Sequence, residues 1–386
     1  MKFLQKNGVK ILCVILVLLV LLTKTSPGIS LIKTSTIIYN IFSDPLGNKA
    51  NSTKSSSIVK EVSFKSNERT IYADLWIPKE KNKYPAAILS LGIDIDKGDH
   101  RITRLAKILS ESGFVVLVPN IPSITSRRLN IDAKEDLVSS FEYLNSQAGI
   151  KKDKIGFVSF CASAGLAVLA SEDEKINNKV AYVVTVNPYF NLETLYKNIV
   201  FHQMQVQNNT MPWAPYFKTV EIYNRETIAL LNNSDQKILE KYLVKISHSD
   251  LESGNYKPLS DIDKTLLSKD GLFTYALLAN KDRGRFSSLI ENKTEAQENF
   301  LLDLSPSTKI ENLKTKLFIL SDKNNIFIPY SHAQELASSL PENQRVFTET
   351  TLIPAGNLKA NLPLWEKISE GTKLAVFIYQ IFIKAF

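Results

Sequence analysis

Residues 154–170 read KIGFVSFCASAGLAVLA. A β-branched and aromatic run, IGFVSF, passes at one corner into an Ala/Leu/Gly stretch with strong helix propensity, and a thiol, Cys161, stands at the corner. A strand that turns this sharply into a helix presents the corner side chain above the sheet, the layout of a nucleophile elbow. The strand end and helix start nearly touch there, so the flanking residues must be small, and Ser159 and Ser163 are. The N–H of Ala162, just after the corner, supplies one half of an oxyanion hole. A register shifted by two residues would make Ser163 the nucleophile instead.

Outward from the corner, short apolar runs alternate with helical patterns. Residues 58–66 and 70–77 alternate in polarity around Asn67-Glu68-Arg69 and read as an edge hairpin. PAAILSL (85–91), FVVLVP (114–119), VAYVVTV (180–186) and KLFILS (316–321) are continuous apolar runs, as buried parallel strands are. Helical spacing marks residues 102–112 and 132–146, the latter through Leu137, Phe141 and Leu144. Residues 330–340 and 365–386 read as further helices, with a last strand at 345–353. Such alternation predicts a doubly wound, mostly parallel α/β sheet. It breaks off near Tyr189 and resumes at Thr315, and the intervening sequence is long enough to need structure of its own. The chain therefore divides into residues 1–28 (signal anchor or signal peptide), 29–57 (membrane-proximal segment and linker), 58–188 (core, first part), 189–314 (helical cap) and 315–386 (core, second part).

The chain has 386 residues, 44% of them hydrophobic, enough for a large core. Its net charge of +8 is scattered, with no basic stripe interleaved with aromatics, which argues against a nucleic-acid partner. Lys2, Lys6 and Lys10 precede an unbroken apolar run, ILCVILVLLVLL at 11–22. At about 1.5 Å per residue the run is shorter than the ~30 Å hydrocarbon core, as signal-peptide cores are, yet no A-x-A-like cleavage site follows. An uncleaved short anchor and a cleaved signal both fit. In either case the lysines predict a body outside the cytoplasm, anchored or secreted. Residues 29–42 are apolar enough to lie on the membrane surface. Two cysteines, one inside the apolar run, exclude a disulfide framework. No metal-ligand spacing and no Gly-rich phosphate loop is present, so no metal or cofactor is expected.

The order of strands, the elbow and the late insertion resemble the α/β-hydrolases, across residues 58–186 and 315–386. Within that superfamily the chain is most similar to the dienelactone hydrolases. FCASAGLAVLA (160–170) resembles their F-[SC]-x-G-G-x-L-A-x-L-A pattern, departing at Ser163 and Ala164. The resemblance implies Cys161 as nucleophile, with Ala162, Gly92 and Ile93 as the oxyanion hole. It places the acid after the seventh strand, in G-x-x-D-x-x-[VI]-P, where Asn324 falls on the acid and Asp322 stands two residues early. The alternative acid position, after the sixth strand, holds Asn187. The histidine comes after the last strand, in P-x-[AG]-G-H, and here Asn357 occupies its place.

A Cys-Asn-Asn set lacks a base. A thiol near pKa ~8.5 is slightly ionised at neutral pH, and a helix N-terminus lowers that pKa, so acylation is conceivable. Deacylation needs a proton acceptor for water, and loss of a triad base costs on the order of 10⁶ in turnover. Four histidines are available as replacements. His202, beside Phe201 and close behind the sixth strand, is the best placed, with His248 second. His100 reads as a helix-start residue and His332 as part of an exposed helix face. Two expectations follow: a weak or inactive hydrolase-fold protein at the membrane that binds a ligand or partner, or a dienelactone-hydrolase-like or carboxylesterase-like enzyme with a relocated base. In both, a small ester, lactone or acyl compound is the expected ligand.

Overall fold

The computed structural model describes residues 25–43, 57–80, 82–90, 92–93, 95–244, 259–279, 282–353 and 362–386. The run at 11–22, the linker, His248 and Asn357 lie outside the described residues.

The continuous apolar runs are the inner strands. β3 (Tyr84–Ser90), β4 (Val115–Pro119), β6 (Tyr182–Val186) and β9 (Lys316–Asp322) are buried almost throughout. They carry no alternation because helices cover both faces of the sheet. The edge hairpin, β1 (Ser57–Ser66) and β2 (Arg69–Pro78), alternates in part: Val62 and Phe64 of β1 and Ile71, Ala73 and Leu75 of β2 turn inward between more exposed neighbours. Its turn places Asn67 at φ 50°, a conformation that asparagine tolerates. With β5 (Ile150–Phe160) and β10 (Arg345–Thr350) these form one eight-stranded sheet in the order β1-β2-β4-β3-β5-β6-β9-β10. Only the β1–β2 and β2–β4 pairings are antiparallel.

One face of the sheet carries α1 (Ser26–Ser43), α2 (His100–Glu111) and α13 (Leu364–Ala385). Ile37, Ala106, Phe377 and Phe382 of these helices share a core with Leu89, Val118, Val184 and Phe318. The other face carries α3 (Ile131–Ser146), α4 (Ala162–Ser171) and α12 (Ser331–Ser338), whose core runs on into the segment between β6 and β9.

That segment holds α5 (Leu192–Phe201), α6 (Phe217–Ile228), α7 (Asn233–Leu243), α8 (Asp261–Leu266), α9 (Lys269–Leu278), α10 (Arg283–Glu291) and α11 (Glu295–Asp303). It is not wholly helical: β7 (Gln203–Val206) and β8 (Asn209–Pro212) form an antiparallel ribbon. Polar links seat this cap on the core. Trp213 donates its indole N–H to the Asn325 carbonyl (2.7 Å), and Tyr216 N–H donates to the Ile326 carbonyl (2.8 Å). Glu226 of α6 accepts from Arg128 Nε (2.7 Å) and from Leu129 N–H (3.0 Å).

Among the described residues no helix is long and apolar enough to cross a membrane.

Candidate active site

Cys161 sits between β5 and α4 with φ 52° and ψ −128°. A non-glycine residue is held there only when its surroundings dictate it, at a cost of about 1–3 kcal/mol. The surroundings are visible on three sides. The Cys161 N–H donates to the Val186 carbonyl at the end of β6 (2.8 Å). Gly92 faces it so closely that a Cβ there would lie 3.2 Å from Cys161 Cβ. One turn into α4, a Cβ on Gly165 would lie 2.4 Å from the ring of Tyr189, which is itself fully buried. Ser163 is buried inside α4 and does not line the cavity, so the thiol is the residue that occupies the corner.

Above the corner, beneath the cap, lies a cavity of about 420 Å³, within the size range of small-molecule sites. Cys161, Ala162, Gly92 and Ile93 all line it, so the structure brings together the expected nucleophile and oxyanion residues. Ala162 opens α4, where N–H groups have no intrahelical acceptor. Apolar and aromatic side chains from the cap, among them Leu195, Tyr196, Ile199 and Ile222, form the roof.

Those walls set the state of the sulfur. Burial pushes the Cys161 thiol up to about 12, and nearby Arg101 offsets this only in part. Desolvation acts against the lowering expected from the helix N-terminus. Arg101 lines the cavity, but its guanidinium is gripped by Asp99 through two hydrogen bonds (2.9 and 2.8 Å). Its role was not apparent in the sequence; the only signal is its place in the first turn of the helix that follows the Gly92-Ile93 loop.

The residues expected around the acid position are spread over the turn after β9 and the strand end before it. Asn324 is exposed on the turn after β9 and does not line the cavity. Asp322, at the end of β9, is fully buried. Its carboxylate accepts N–H groups from Asn324 (2.8 Å) and Ile353 (2.6 Å), which draws the β9 turn towards the segment after β10. Its own N–H donates to Asn187 Oδ1 (2.7 Å), and Asn187, also at positive φ (52°), lines the cavity. The carboxyl ends of β5, β6 and β9 are thus tied together by Cys161, Asn187 and Asp322.

No described side chain hydrogen-bonds the Cys161 sulfur. His202 caps α5 in a left-handed conformation, is exposed and does not line the cavity. His100 stands on the cavity rim with its side chain 78% exposed. His332 corrects the sequence reading: it is fully buried rather than part of an exposed face. Its Nδ1 accepts the Phe190 N–H (3.3 Å), which leaves Nε2 to donate to Asn198 Oδ1 (3.0 Å). Burial lowers its pKa to about 3, so it is neutral and committed to joining the cap to α12. Among the described residues no cluster of ligands could hold a metal ion.

No family model and no curated protein matches the chain. Among solved structures it is similar to 2,6-dihydroxy-pseudo-oxynicotine hydrolase, with 11% identity over 84% of this chain and 68% of that one, at a TM-score of 0.48. It is also similar to the acylaminoacyl peptidase of Pyrococcus horikoshii, with 12% identity, 83% of this chain, 40% of that one and a TM-score of 0.44. The dienelactone hydrolase of Anabaena variabilis shares 18% identity over 35% of this chain and 65% of that one, with a TM-score of 0.31. The chain spans less than half the length of the peptidase. The strand order, the strained corner at Cys161 and the cap between β6 and β9 give this chain the α/β-hydrolase fold.

Proposed function

We propose that this protein is held at a membrane by the apolar run at 11–22, and that its capped cavity binds a small ester, lactone or acyl ligand without turning it over. The observation that carries this reading is the state of Cys161. Its sulfur faces the cavity with a thiol pKa of about 12 and no hydrogen-bonding partner among the described residues. At pH 7 that keeps the sulfur in its thiol form. Acylation from the thiol form is slow, and deacylation has no described imidazole to activate water. An oxyanion corner in an apolar cavity still binds: Ala162 N–H and the Gly92-Ile93 loop can orient a carbonyl while the roof covers an acyl chain.

One observation favours a second reading, a dienelactone-hydrolase-like or carboxylesterase-like enzyme. Asp322 is a buried carboxylate at the end of the strand where the family keeps its acid, and it holds the N–H of Ile353, the residue just before the segment that contains Asn357. In that reading Asp322, not Asn324, is the acid.

Binding separates from turnover in a titration of the full chain with p-nitrophenyl butyrate and with its amide analogue, followed by calorimetry. The proposal expects saturable binding of the amide that survives Cys161→Ala and is lost in Ile199→Trp, which fills the roof. No heat with either compound would remove the ligand-binding reading.

A further inference from the structure

Two helices on the sheet face away from α3 and α4 carry apolar residues where water-facing helices carry charge. α1 has one charged residue, Lys33, and it is turned inward: its Nζ donates to the Ser112 carbonyl and lies 3.9 Å from the centre of the Phe386 ring. The outward face of α1 is Leu31, Ile32, Ser35, Thr36 and Tyr39, with Tyr39 70% exposed. On α13, Phe377 and Ala385 face the core, and a second apolar stripe runs down the opposite side. Its members, Trp365, Ile368, Thr372, Val376, Tyr379 and Ile383, recur at spacings of three and four residues. Trp365 is 80% exposed. α1 and α13 pack against each other, so the two stripes belong to one side of the molecule.

The hydroxyls on this surface are taken up by their own helices. Ser35 donates to the Leu31 carbonyl (2.9 Å), Thr36 to Ile32 (3.0 Å) and Thr372 to Ile368 (2.7 Å). Each returns its proton to its own helix four residues back, which leaves these hydroxyls satisfied without an outside partner.

We propose that the outward faces of α1 and α13 together form a bilayer-binding face that lies in the interfacial layer, with Trp365 as its aromatic anchor. The face rests on the membrane reading above and extends it from a tether to a fixed orientation. Only Thr23, Lys24 and Thr25 separate the apolar run from α1, so insertion of that run holds α1 at the membrane surface. A protein partner would need no such placement. Tryptophan favours the interface, and exposed Lys367 and Lys384 on α13, within a chain of net charge +8, suit anionic headgroups, whereas Lys373 is paired with Glu370.

The test uses the full chain in phosphatidylcholine/phosphatidylglycerol vesicles, with and without dibrominated phosphatidylcholine, and reads tryptophan emission after flotation. The expected result is quenching that is lost in Trp365→Phe and reduced when Ile368 and Val376 are both replaced by Asp with Trp365 retained. Protein that floats with the vesicles but is not quenched through Trp365 keeps the tether and overturns the face. Protein that does not float overturns both. A dimer by light scattering that Val376→Asp dissolves, without lipid quenching, assigns the face to a second copy and also overturns the proposal.

Discussion

At the Cys161 corner the backbone is strained, a glycine has been cleared on either side, and the oxyanion residues are assembled, yet the thiol is protonated and has no described partner. Around His332 the reverse holds. There an imidazole has both nitrogens engaged and a fixed tautomer, but it serves to join α5 to α12 and does not reach the cavity. The geometry of an elbow is written into sheet order and close packing, so it persists whether or not a base is supplied. A base depends on one side chain at one loop position. On the proposed reading, fold and activity separate at that point.

The comparison breaks most sharply at Gly165. Gly165→Ala drives a Cβ into the immobile ring of Tyr189, and we expect a loss of about 3–4 kcal/mol in urea unfolding, with the corner opened. His332→Ala strands the Phe190 N–H and the Asn198 amide and should cost about 2–3 kcal/mol, whereas Cys161→Ala should cost under about 1 kcal/mol. His332 also sets a pH limb. Its folded pKa, about 3, lies below the unfolded 6.5, so between those values only the unfolded chain takes the proton and stability falls as pH drops. The slope is about 1.4 kcal/mol per pH unit, and His332→Ala should flatten it.

Glu172, at the end of the elbow helix, sharpens the same contrast from the alkaline side. It is 3% exposed, both carboxyl oxygens lack a partner among the described residues, and burial raises its pKa to about 9. From pH 4.5 to about 9 the unfolded chain ionises while the folded one holds its proton, so stability declines as pH rises. Glu172→Gln should add about 2 kcal/mol at pH 8 and remove that decline. The smallest effect belongs to the strain itself: Cys161→Gly relieves the positive φ and should stabilise the chain by about 1 kcal/mol, read as a rise in urea midpoint.

All eight strands of the sheet were legible because their signals are local: continuous apolar runs for buried strands, alternation for the hairpin, and a thiol at a strand-to-helix corner. The features that escaped depend on distant residues. The ribbon of β7 and β8 is short, polar and largely exposed, so it carries no periodicity to read. His332 looked exposed because its burial comes from Asn198, 134 residues away. Cys161 looked ionisable because its desolvation comes from a roof supplied by the cap. Asn324, reached by counting along a pattern, stands exposed on the turn, and the strand end before it carries the buried Asp322.

The most direct test of the central claim is multiple-turnover hydrolysis of p-nitrophenyl butyrate by the full chain beside its Cys161→Ala variant. The account predicts the same background rate in both proteins, with binding intact. Turnover in the parent that vanishes in the variant would contradict it and would show that a base reaches the Cys161 sulfur.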